Sequence, residues 1–150
     1  MKKILYIDLD NVLVAFESAF PHIPEEDKIK YKGRLDEVPG IFSLMGPVDG
    51  AVEAFSELAV EFDTYILSTS PWENPSAWSD KLIWVKKHLG SHAYKSLILS
   101  HHKELNIGDY LIDDRLKNGA DKFQGELIHF GSDKFPNWDS VVVYLSERGS

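Results

Sequence analysis

No cysteine occurs among the 150 residues, so disulfides and thiolate-held zinc are excluded and any metal must be bound by oxygen or imidazole. That composition suits a reducing cytoplasm, and a cytoplasmic protein is expected. Basic residues are also in short supply. Lys and Arg number 16 against 24 Asp and Glu, a formal charge of −8. A broad face for a nucleic-acid polymer is therefore not expected, because phosphate-backbone affinity rests on clustered cations. An anionic substrate would need a local group of cations instead. No apolar run approaches the ~18 residues of a membrane-spanning helix, so no membrane partner is expected. The run behind Lys2 and Lys3 resembles the start of an export signal, but Asp8 and Asp10 break it and no small-residue cleavage site follows. Low-complexity tracts and internal repeats are missing too. What remains is an ordinary hydrophobic fraction of 43% in a chain of single-domain length, with room for a real core.

Short apolar, β-branched runs recur at 4–9, 64–70, 96–100, 110–113 and 127–130 and read as buried strands. Helical periodicity fills several gaps. In 49–62, Val52, Phe55, Leu58 and Ala59 share a face, and 76–90 ends in Lys86, Lys87 and Gly90, a helix-stop signal. The tail 138–148 reads as a last helix, although Val141 to Tyr144 also fits a strand. Strands alternating with helices predict an α/β fold, a three-layer doubly wound parallel sheet. Residues 14–48 depart from the alternation. They hold no convincing strand and two or three short helices, which predicts a small helical cap inserted after the first strand, with 1–13 and 49–150 forming the core.

In a parallel sheet, ligands bind at the carboxyl ends of the strands. Four polar sets stand there: Asp8 with Asp10, Thr69 with Ser70, Lys103, and Asp113 with Asp114. Singly, each has a plain explanation: a turn or helix cap, a Ser/Thr loop, a solvated lysine, a surface ion pair. Together, in this order, they converge on one crevice. Clustered carboxylates repel, so they need a cation or a raised pKa, and an all-oxygen set favours Mg²⁺. Asp8 then becomes a candidate nucleophile, Asp10 an acid/base, Asp113 a metal ligand, and Lys103 with Thr69 a cradle for phosphate oxygens.

Asp8-Leu-Asp10, Thr69, Lys103 and Asp113-Asp114 resemble the four motifs of the haloacid dehalogenase-like (HAD) superfamily of aspartyl phosphotransferases. Within it, "DLDNVLVAF", "STSPW", "KLIWVKKHLG", "LILSHHK" and "LIDDR" are most similar to the cytosolic type C 5'(3')-deoxyribonucleotidases. The resemblance implies a Mg²⁺-dependent hydrolase of nucleoside monophosphates. It implies attack by Asp8 and proton transfer by Asp10. Metal would be held by Asp8, the Asp10 backbone carbonyl and Asp113, with Asp114 behind them. Phe16 and Phe42 match positions that enclose base and sugar, and Ser70 and Lys81 match substrate-side positions. Two departures stand out: Asn11 where many relatives carry glycine, and His101 where eukaryotic enzymes carry arginine. Two rivals remain open. One is a HAD phosphatase for another small phosphate ester. The other is a receiver-type phosphoacceptor module, which the order of the acidic motifs disfavours. Oligomeric state is left open, with a homodimer among the candidates.

Overall fold

A computed structural model describes residues 1–149. In chain order the strands are β1 (Ile4–Ile7), β2 (Val14–Ala15), β3 (Gly46–Pro47), β4 (Asp63–Ser68), β5 (Leu97–Leu99), β6 (Tyr110–Asp113) and β7 (Glu126–His129). The α-helices are α1 (Glu25–Lys30), α2 (Ala51–Glu61), α3 (Pro75–Leu89) and α4 (Trp138–Ser146). Five strands form one parallel sheet in the order β5-β4-β1-β6-β7. All five apolar runs of the sequence become its strands, because a strand buried on both faces must be apolar throughout.

Alternation along the strands divides the core. Leu5, Ile7, Ile66, Ile112 and Ile128 meet Phe55 and Leu58 of α2, Trp84 and Val85 of α3, and Val141 and Leu145 of α4. On the opposite face, Tyr6, Leu67 and Leu111 lie under Ala120 and Phe123, with Ile98 and Leu127 half-covered. The third layer is thus thin, carried by one-turn 3₁₀ segments at Lys103–Leu105 and Ala120–Lys122 rather than by α-helices. The connections 100–109 and 114–125 sit near the lower limit of a parallel crossover, which leaves little chain for a helix. Gly108 lets the first of them lie directly on the sheet, since a Cβ there would come within 2.5 Å of the Tyr6 ring.

The tail is a helix, not a strand, and the reason is local. Asn137 Oδ1 accepts from the Ser140 amide at 3.0 Å, while the Asn137 amide donates back to Ser140 Oγ at 3.4 Å. This reciprocal cap satisfies donors that would otherwise be orphaned.

Residues 14–48 correct the expectation of a strand-free segment. The chain leaves the core through β2 and returns through β3, and the two pair antiparallel. Two-residue strands, one of them Gly-Pro, carry no readable periodicity. Between them lie α1 and 3₁₀ turns at Phe16–His22, Leu35–Glu37 and Ile41–Leu44. Ala19, Ile23, Val38, Ile41 and Phe42 are buried in the same continuous cluster as the sheet. Asn74, 2% exposed at the start of α3, donates from Nδ2 to the carbonyls of Asp36 (2.9 Å) and Val38 (3.0 Å).

Candidate active site

β1, β4 and β6 end side by side, and the residues just beyond them line one cavity of about 460 Å³. Asp8 follows β1 directly, and its amide donates to the Ile112 carbonyl of β6 at 2.8 Å. The chain then turns sharply, with Asn11 in the left-handed region at φ 62° and its amide bonded to the Val14 carbonyl at 2.7 Å. Asparagine is among the few residues besides glycine that adopt this conformation readily, so the backbone survives the departure from glycine.

Asp8, Asp113 and Asp114 each offer a carboxylate oxygen within 4.8 Å of the others. The Lys103 ammonium lies among them, 3.1 Å from Asp8 Oδ1 and 2.6 Å from Asp113 Oδ2, and is itself 3% exposed. Burial pushes the Asp8 carboxyl up to about 6; Lys103 opposes this, while Asp10 and Asp114 add to it. Asp113 also rises to about 6, through burial and then the charge of Asp8, against the pull of Lys103 and the Arg115 amide. Asp114 is raised by burial and by Asp113. Burial would lower Lys103, but Asp8 and Asp113 outweigh it and its pKa lies above the usual value. One lysine does not balance three carboxylates.

The sequence candidates divide into those at the cavity wall and those behind it. Asp10, Asn11, Phe16, Thr69, Ser70, His101 and Lys103 line the cavity with the acidic cluster. Thr69 spends its hydroxyl proton on the Ser100 carbonyl at 2.7 Å. Ser70 is fully buried and its hydroxyl has no partner among the described residues. Phe42 and Lys81 do not line the cavity. Phe42 is buried behind Phe16, ring edge against ring at 5.9 Å between centroids. Lys81 is no surface residue: it is 1% exposed, its ammonium tied to Asp10 Oδ2, Ser68 Oγ and the Thr69 carbonyl.

Sequence reasoning missed Arg34, Asp36, Lys117 and Asn118, which also line the cavity. They lie in turns without a motif, and only the position of Lys117 and Asn118 soon after the Asp113-Asp114 pair could have pointed to two of them. With Lys103 and Arg115, Arg34 and Lys117 supply the local cations that an acidic chain needs to hold an anion.

The family model described as "5' nucleotidase, deoxy (Pyrimidine), cytosolic type C protein" matches residues 22–136. The chain belongs to this family. A Vibrio phage KVP40 protein named "Putative 5'(3')-deoxyribonucleotidase" is 59% identical to this family member over 147 residues, covering 98% of the chain and 86% of the relative. The human cytosolic-type 5'(3')-deoxyribonucleotidase is 27% identical, with 91% of this chain and 77% of the human one aligned. Among solved structures, the HAD-hydrolase YfnB of Bacillus subtilis superposes with a TM-score of 0.61 at 17% identity, covering 90% of this chain and 89% of the other. The chain thus shares the fold of this HAD-hydrolase, as the sequence led one to expect, and no described helix is long and apolar enough to cross a membrane.

Proposed function

We propose that this family member hydrolyses nucleoside monophosphates, 5'(3')-deoxyribonucleotides foremost, through a phosphorylated Asp8. One observation carries the reading: the carboxylates of Asp8, Asp113 and Asp114 and the buried Lys103 ammonium line a cavity together with Arg34, Arg115, Lys117 and the Phe16 ring. Two buried polar atoms in that wall, Asp10 Oδ1 and Ser70 Oγ, lack partners among the described residues. Buried polar groups are normally satisfied, so both are suited to a bound substrate.

The donor set fits a hard divalent cation, since three carboxylates lie close together, their protonation is favoured by burial and repulsion, and a cation would relieve both. Mg²⁺ would be held by Asp8, Asp113 and the Asp10 carbonyl with Asp114 alongside, and would supply neutralisation of the phosphoryl oxygens. Asp8 attacks phosphorus as the bond from phosphorus to the sugar oxygen breaks. The departing oxygen keeps the bonding pair and takes the proton from Asp10. Water then attacks phosphorus, gives its proton to Asp10, and the bond to Asp8 breaks to restore the carboxylate. Lys103, Ser70 and backbone amides after Asp8 hold phosphate oxygens, and Phe16, backed by Phe42, packs against base or sugar. Residues 14–48 serve as the cap.

The test is phosphate release with Mg²⁺ from dUMP, dTMP, dGMP, UMP and 3'-monophosphates, beside sugar phosphates. Nucleotides are expected to lead. Asp8→Asn should lower turnover by at least ~10⁴-fold, because a nucleophile has no substitute. Retained turnover in that variant, or a sugar phosphate preferred over every nucleotide, would overturn the reading.

A further inference from the structure

Lysines are almost never fully buried unless paired, and Lys81 is buried to 1% exposure without lining the cavity. It reaches inward from α3, and its ammonium meets three oxygens: Thr69 carbonyl at 2.8 Å, Ser68 Oγ at 2.9 Å and Asp10 Oδ2 at 3.2 Å. Three acceptors match three ammonium protons, so none is left for a substrate. The Phe42 ring covers the ammonium, 4.8 Å from ring centre to Nζ, and helps keep water from it. The Asp10 carboxyl is therefore asymmetric. Oδ2 is held by Lys81, whereas Oδ1 is buried with no partner among the described residues.

We infer that Lys81 is a positioning residue for proton transfer: it pins Asp10 Oδ2 and so fixes the carboxyl with Oδ1 as the oxygen that exchanges the proton. The inference replaces a substrate contact for Lys81 and rests on the proposed roles of Asp8 and Asp10. A carboxyl free to rotate about its Cβ bond would present the wrong oxygen or the wrong angle much of the time, and proton transfer requires hydrogen-bond geometry. The same ammonium holds the Thr69 carbonyl, so α3 fixes the ends of β1 and β4 relative to each other at the reacting centre.

The distinguishing measurement is leaving-group dependence. A nucleoside oxygen is a poor leaving group and needs the Asp10 proton, whereas p-nitrophenolate departs without one. With Mg²⁺, kcat/KM is measured for dUMP and for p-nitrophenyl phosphate in wild type, Lys81→Met, Asp10→Asn and the double variant. The ratio of the two values does not depend on how much of a variant is folded, so partial misfolding cannot mimic the effect. Lys81→Met is expected to lower the ratio of dUMP to p-nitrophenyl phosphate by ~10²-fold, within the range of general acid catalysis. In the Asp10→Asn background the same substitution should change it less than ~3-fold, since coupled residues are non-additive. Equal falls on both esters, or full additivity with Asp10→Asn, would overturn the inference and leave the proposed function standing. A wild-type protein that releases phosphate from neither ester overturns both.

Discussion

At residue scale, the site depends on side chains whose surroundings give them unusual duties. Asn11 holds a left-handed backbone at φ 62°, and its Oδ1 accepts from the Phe16 amide at 3.3 Å, so one residue sets the turn carrying Asp10 and orients the start of the next segment. Asn11→Gly should keep the turn and stay within about 1 kcal/mol of wild type in urea unfolding. Asn11→Val, β-branched and without an acceptor, should cost about 2–3 kcal/mol and lower activity as well. The same chemistry explains which residues were legible. Asp8, Asp10, Lys103 and the Asp113-Asp114 pair announce themselves because charge beside apolar strands is costly without a purpose. Lys81 looks solvated in the sequence, and only its acceptors from β4 and the β1 turn reveal it as buried. The tryptophans are sorted in the same way. Trp138 and Trp84 are core, each donating Nε1–H to a carbonyl, of Val12 and Met45 respectively, while Trp72 stays 76% exposed.

At the scale of elements, long apolar or amphipathic segments carry their identity and short ones do not. The five sheet strands, α2 and α3 follow from periodicity, and α4 is decided by the Asn137–Ser140 cap over the competing strand reading of Val141 to Tyr144. β2 and β3 exist only because each finds the other, across a segment of 3₁₀ turns that sequence pattern renders as generic helix. That segment is fastened by α3 rather than by its own periodicity. Ser76 Oγ accepts from the Gly40 amide at 2.9 Å, next to the Asn74 bonds to Asp36 and Val38. Asn74→Ala would leave the Asp36 carbonyl unpaired among the described residues and Val38 with only the Ile41 amide, and unfolding free energy should fall by about 1–3 kcal/mol. Because Asp36 and Phe16 line the cavity, KM for a nucleotide should rise more than kcat falls; an unchanged KM would show that these bonds do not position the wall.

For the whole molecule, electrostatics at the sheet's carboxyl edge sets the dependence of stability on pH and metal. Asp8 and Asp113 lie at about 6 when folded, above the ordinary 3.8, so between those values the folded chain holds more protons than the unfolded one. Their contribution to stability is greatest at low pH, is lost as pH rises from about 4 to about 6, and stays lost above that. Without divalent cation, these two groups should therefore favour pH 5 over pH 7.5, an effect on the order of 1 kcal/mol for each carboxyl between those pH values. Mg²⁺ at about 100 times its Kd should return about 2.7 kcal/mol at pH 7.5 and less at pH 5, where protons compete. Thermal midpoints with Mg²⁺ and with EDTA at both pH values check this, and a midpoint indifferent to Mg²⁺ at pH 7.5 would remove the metal from the site. The sequence by itself determined the order of the five sheet strands with α2 and α3, the acidic charge and the candidate acids at strand ends, because periodicity and local charge cost are properties of neighbouring residues. The tertiary structure alone decided that Lys81 reaches Asp10 from within the core and that Arg34 and Lys117 join the cavity wall. These are contacts between residues far apart in the chain, and no local pattern encodes which distant backbone will bring an oxygen within reach of a buried cation.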